Sequence, residues 1–141
     1  MKSAAFTPEQ VLVVRLERGE EIVASVLALV KQYDIRAGSV SGIGAISGAV
    51  LGFFSPATKE YREISYAEPL EILSLSGNLS TKDGAPYAHL HASLGRETGE
   101  AIGGHLVSAR VSATAELIVQ PLAGTLERQF SEEIGLNLLK L

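Results

Sequence analysis

P-Y-A-H-L-H-A-S-L-G-R-E-T-G-E-A-I-G-G-H-L-V-S-A-R-V-S-A-T-A-E, residues Pro86 to Glu116, contains all three histidines of the chain. His89 and His91 stand two apart, so in a strand both rings leave the same face of the sheet. The polar run Arg96-Glu97-Thr98-Gly99-Glu100 reads as a hairpin loop, with Gly99 free to take the positive φ that such turns use. Folding the chain about Thr98 sets His105 directly opposite His91, since each lies seven residues from that apex. His105 is then diagonal to His89, within the roughly 7–8 Å that cross-strand diagonals span. Three imidazoles on one patch suit a metal ion held by nitrogens at about 2.0–2.1 Å, with a fourth position open. The spacing alone leaves a second reading open, in which they are polar residues on a solvated face or at a subunit contact. A slip of one residue would send His105 to the other face. Gly103-Gly104 marks a bulge or a close backbone approach next to it.

Outward from this hairpin, the chain reads as a single α+β domain over residues 1–141. Val11 to Glu17 is rich in β-branched residues and forms the first strand. Glu20-Glu21 open a helix, their charges suited to its positive end. Ile22, Val23, Val26, Leu27, Val30 and Tyr33 recur at helical spacing, an apolar face laid across a sheet. Ala37 to Phe54 holds five glycines but neither phosphate-loop spacing, and reads as a long strand kinked where the glycines fall. Tyr61 to Ala67 and Leu70 to Leu79 follow as strands, and Lys82-Asp83-Gly84 as a turn. Arg110 to Val119 continues as a strand with Val111, Ala113, Ala115, Leu117 and Val119 on one face. Leu126 to Phe130 and Ile134 to Leu141 close the chain as a short hairpin or strand–turn–strand. The sum is a largely antiparallel sheet of about seven strands packed with one main helix.

Composition narrows the chemistry. With no cysteine, thiolate catalysis, disulfides and cysteine–zinc sites are excluded. The 12 basic residues are scattered singly against 16 acidic ones, whereas autonomous nucleic-acid binding rests on clustered cations. Met1 to Gln10 shows no basic segment followed by an apolar one, and the longest apolar run, Ile22 to Val30, is too short to span a bilayer. A soluble cytoplasmic protein without membrane contact is the expectation.

V-R-L-E-R-G-E-E-I at 14–22, V-S-G-I-G-A-I-S at 40–47, L-E-I-L-S-L-S-G-N-L at 70–79, H-L-H-A-S-L at 89–94, G-G-H-L at 103–106 and T-A-E at 114–116 carry a resemblance. Over nearly its whole length the chain resembles the plants-and-prokaryotes-conserved (PPC) domain, also called the domain of unknown function 296 family. The resemblance implies an antiparallel sheet with helix, a homotrimer, and zinc held by three histidines that map onto His89, His91 and His105. In plant relatives the domain accompanies AT-hooks centred on Arg-Gly-Arg-Pro. Here Arg18-Gly19 is followed by Glu20 and no basic arm is present, so DNA is not an expected partner. The plant association segment G-R-F-E-I-L keeps only its last three letters, at Glu71-Ile72-Leu73.

Two functions follow, beside a third, the DNA binding that the family label implies. One is a zinc-binding trimeric module for assembly or regulation, sensing a small molecule or anion at the metal. The other is a zinc-dependent enzyme of hydrolase type, in which the ion lowers the pKa of bound water to around 7. That chemistry wants a carboxylate base. Glu116 is the first candidate as a catalytic residue, with Asp83, Glu97 and Glu100 as loop alternatives, and Arg110 is the candidate for gripping an anionic substrate. Each of these charged groups has the competing reading of an ordinary solvated side chain.

Overall fold

The computed structural model describes residues 10–141; most of the N-terminal segment read for a secretory signal lies outside the described residues. Eight strands and one helix follow in the order β1 (Leu12–Glu17), α1 (Ile22–Gln32), β2 (Gly38–Ser55), β3 (Glu60–Tyr66), β4 (Leu70–Lys82), β5 (Ala85–Gly95), β6 (Ala101–Pro121), β7 (Glu127–Ser131) and β8 (Leu136–Lys140). The α+β, largely antiparallel reading holds, with one strand more than the seven expected because both closing runs form strands of their own. Among the described residues the one parallel pairing joins β4 to β7. β2 pairs with β6, β6 with β5, β5 with β4, and β4 returns to β2, so four strands close on themselves around a common core.

Local sequence explains the joints. Asp83 and Gly84 both take positive φ, 52° and 77°, between the paired residues Lys82 and Ala85. Positive φ at both central positions is the two-residue turn whose twist matches that of the flanking strands. The glycine run is the kinked strand expected of it. Its register against β6 shifts around Gly44 and Ile46, and a Cβ on Gly44 would lie 2.5 Å from the Thr114 carbonyl oxygen. The same irregularity corrects one residue. Ser112 to Thr114 lie where β2 has only Ala45, and Ala113, expected on the buried face, is exposed.

α1 lies across β5 and β6 and buries Ile22, Val26 and Val30. They meet a sheet interior that includes Leu75, Leu79, Leu90, Leu94, Val111 and Leu117. Tyr33, read as the end of the apolar stripe, is instead the exposed C-cap. Among the described residues no helix is long and apolar enough to cross a membrane.

The two glutamates before the helix divide their work. Glu21 is the N-cap, its carboxylate accepting from the backbone N–H groups of Val23 at 3.1 Å and Ala24 at 2.6 Å. The same carboxylate accepts from the N–H of Ala109 on β6 at 2.9 Å, tying the helix start to the sheet. Glu20 stays outside the helix and accepts from the Glu17 N–H. Glu21→Ala therefore removes a cap and orphans a strand N–H. We expect a loss of about 1–2 kcal/mol in urea unfolding, with Glu21→Gln recovering part of it. Equal midpoints for wild type and Glu21→Ala would contradict this role.

Candidate metal centre

The hairpin register is the one that symmetry about Thr98 predicts: His91 pairs with His105, Ala92 with Gly104 and Ser93 with Gly103. The paired glycines do not shift it. The bulge falls on the other edge of β6, where Val107 is extra between the Val50–Ser108 and Leu51–Leu106 pairs. His89 and His91, alternating with Leu90 and Ala92, point away from the core that those two residues enter.

The three rings converge. Their centroids lie 5.1 Å (His89–His91), 5.1 Å (His89–His105) and 5.5 Å (His91–His105) apart. One nitrogen from each falls within 4.8 Å of the others. The Nε2 atoms of His89 and His91 are 3.3 Å apart. A tetrahedral ion with bonds of about 2.0–2.1 Å needs ligand nitrogens about 3.3–3.4 Å apart, so this pair already spans one edge of such a site.

Arg128 of β7 forms the floor beneath His89. Its guanidinium donates to Ser80 Oγ at 3.0 Å, the Asn137 carbonyl at 2.7 Å and Asn78 Oδ1 at 2.5 Å, and reaches 3.5 Å from His89 Nδ1. It also stacks over the Tyr87 ring at 4.8 Å. Burial, and then the charge of Arg128, push the His89 pKa down to about 4. His105 is lowered too, by burial first and then by His91 and Arg128. Both imidazoles are thereby held neutral near pH 7, the form that offers a lone pair to a metal.

The imidazoles and Arg128 share a cavity of about 990 Å³ with Tyr61, Glu63, Asn78 and Tyr87. Tyr61 stands edge-on to His105 at 6.0 Å between centroids. Its ring lies across Gly52, where an added Cβ would overlap the phenol oxygen. Burial, then Glu63 and Tyr87, raise the Tyr61 pKa, so the phenol stays a hydrogen-bond donor.

The acids singled out from sequence are elsewhere. Glu116 sits eleven residues beyond His105 on β6, up to about 35 Å along a strand, opposite Arg15 and Ile43, and lines a different cavity. Within one chain it is not beside the imidazoles, because β6 runs for 21 residues and carries His105 and Glu116 to different parts of the sheet. Asp83 pairs with Lys82 at the β4–β5 turn, and Glu100 with Arg96 at the hairpin tip, where Glu97 is exposed. Arg110 donates to the Gly19 carbonyl in the β1–α1 turn, away from the site. The carboxylate sharing the cavity is Glu63, and the cation is Arg128; sequence reasoning missed both. Tyr87 was legible, two residues before His89 on the same strand face. So was Asn78, opposite His89 once the chain turns at Asp83-Gly84.

The family model of the Plants and Prokaryotes Conserved (PCC) domain matches residues 3–123. The chain belongs to this family. Among solved structures, this PPC chain is 42% identical to a metal-containing protein from Archaeoglobus fulgidus, covering 100% of both chains at a TM-score of 0.94. It is 35% identical to a PPC protein from Pyrococcus horikoshii, over 100% of this chain and 98% of the other, at a TM-score of 0.92. It is 33% identical to a candidate DNA-binding protein from Bacteroides thetaiotaomicron, over 96% of each, at a TM-score of 0.90. No curated protein matches the chain.

The depressed His89 pKa gives a signed pH dependence for the metal-free PPC protein. The unfolded chain, with a histidine pKa of about 6.5, takes up a proton that the folded state refuses down to about 4. Stability contributed by this ring is thus complete above about 6.5 and declines as the pH falls toward 4. Histidine-resolved NMR titration should place His89 near 4; a midpoint at the ordinary value would contradict the environment described.

Proposed function

We propose that the protein is a zinc-binding, homotrimeric PPC-domain protein of the cytoplasm, serving as a binding or regulatory module for a small anionic ligand. The convergence of His89, His91 and His105 carries this reading. The donor set supports zinc over harder ions: three nitrogens, no thiolate, and no acid among the residues that converge. When bound, the ion would supply a Lewis-acidic fourth position; the chain's own residues orient the imidazoles and shape the cavity. The Archaeoglobus relative is itself a metal-containing protein, which supports a metal at this site.

An apolar strip supports assembly. Val13, Ile43, Leu73 and Ile118 are 79%, 56%, 54% and 44% exposed, and line one surface on β1, β2, β4 and β6. Clustered exposed apolar groups of this kind mark subunit contacts. Charge argues against DNA as the partner, although the Bacteroides relative bears that label: the chain is formally −4, and its cations form no cluster.

A second reading, a zinc-dependent hydrolase acting on a small molecule, draws on Glu63, the carboxylate that lines the imidazole cavity. The module reading stands ahead of it because Glu63 is solvent-exposed, with no ion pair among the described residues fixing it toward the rings.

Elemental analysis of the purified protein should find zinc at about one per chain, and His91→Ala should lose most of it. Equal zinc in both would remove the ligand assignment. Sedimentation should give a trimer, dispersed by Ile118→Asp, and duplex DNA should show no salt-sensitive binding.

A further inference from the structure

Arg128 has a feature that metal binding does not explain. Its side chain is taken almost wholly out of water, at 8% exposure for the residue, and among the described residues it has no ion-pair partner. Every group touching it is neutral: a hydroxyl, a carbonyl, a carboxamide, an imidazole and a phenol ring. Buried guanidinium groups are ordinarily matched by a carboxylate or phosphate, because desolvating a lone charge is costly. No described residue supplies an ion-paired countercharge: the carboxylate on the wall of the cavity of about 990 Å³ that Arg128 lines, Glu63, is solvent-exposed and makes no ion pair with it. The carboxamide oxygen of Asn137, which lines the same cavity, is also buried without a donor.

We propose that this cavity is a recognition site for a small carboxylic acid with an apolar body, its carboxylate gripped by Arg128. The proposal rests on the metal-centre reading only in that the imidazoles form one wall. Four features select the class. With Nε and Nη2 engaged inside the chain, the guanidinium keeps its charge and one Nη1 hydrogen for a single carboxylate, and it is the one lysine or arginine on the cavity wall, where a doubly charged phosphate would call for more. The phenols of Tyr61 and Tyr87 can donate to a second oxygen of the ligand. Much of the remaining lining is apolar: Phe53 and Phe54 from β2, Phe130 from β7, and Leu136 and Leu138 from β8. Phe53, Phe130 and Leu138 are 62%, 53% and 42% exposed, surface that an apolar ligand body would cover.

The test is calorimetric titration of benzoate, acetate, benzamide and inorganic phosphate into the full chain, zinc-loaded and metal-free. Benzoate should bind more tightly than acetate, benzamide or phosphate. Arg128→Gln should weaken benzoate by at least about tenfold, with Arg128→Lys between it and wild type. Phe130→Ser, at an exposed position that leaves folding intact, should weaken benzoate but leave acetate unchanged. Phosphate binding above benzoate, benzamide matching benzoate, or wild-type benzoate affinity in folded Arg128→Gln would each overturn the proposal. So would a Phe130→Ser variant with unaltered benzoate affinity. Arg128-dependent binding in a protein that takes up no zinc would uphold the carboxylate site while ending the metal reading. A full complement of zinc with no benzoate binding would do the reverse.

Discussion

The pairing of β5 with β6 is the constraint on which the rest depends. Leu90, Ala92 and Leu94 enter the core from one face of β5, and Leu106 enters it from β6. A shift of one residue would turn these side chains to water, at roughly 1.5–3 kcal/mol for each leucine. The same alternation sends His89, His91 and His105 to the opposite face. The register that buries the leucines is the register that gathers the imidazoles, so hydrophobic burial fixes the site's geometry before any metal contributes.

Electrostatics then conditions the rings. Arg128 ties three strands together beneath them, through Asn78 and Ser80 on β4 and Asn137 on β8, with Arg128 itself on β7. Its charge adds to partial burial in disfavouring protonation of His89 and His105. A cation beside would-be metal ligands is unfavourable for a second cation taken alone. It becomes consistent once an anionic group completes the site, which is why the metal centre and the carboxylate site belong to one physical account.

What was legible in the sequence is what is local or symmetric. The seven-residue arms about Thr98 gave the His91–His105 pair, the 3.6-residue stripe gave α1, and the glycine spacing gave a bent β2. Arg128 was hidden because β7 reaches the site by a parallel pairing with β4, Lys82 against Arg128, that no local signal announces. Glu63 and Tyr61 were hidden likewise, since β3 contributes them only through its pairing with the end of β2. Glu116 was not separable from the site by sequence because one long strand serves two separate surfaces.

The most direct test of the account is a crystal structure of the zinc-loaded protein with diffraction recorded on both sides of the zinc absorption edge. The account predicts one anomalous peak per chain, about 2.0–2.1 Å from a nitrogen of each of His89, His91 and His105. A peak bound elsewhere, or imidazoles that stay apart with zinc in excess, would contradict it.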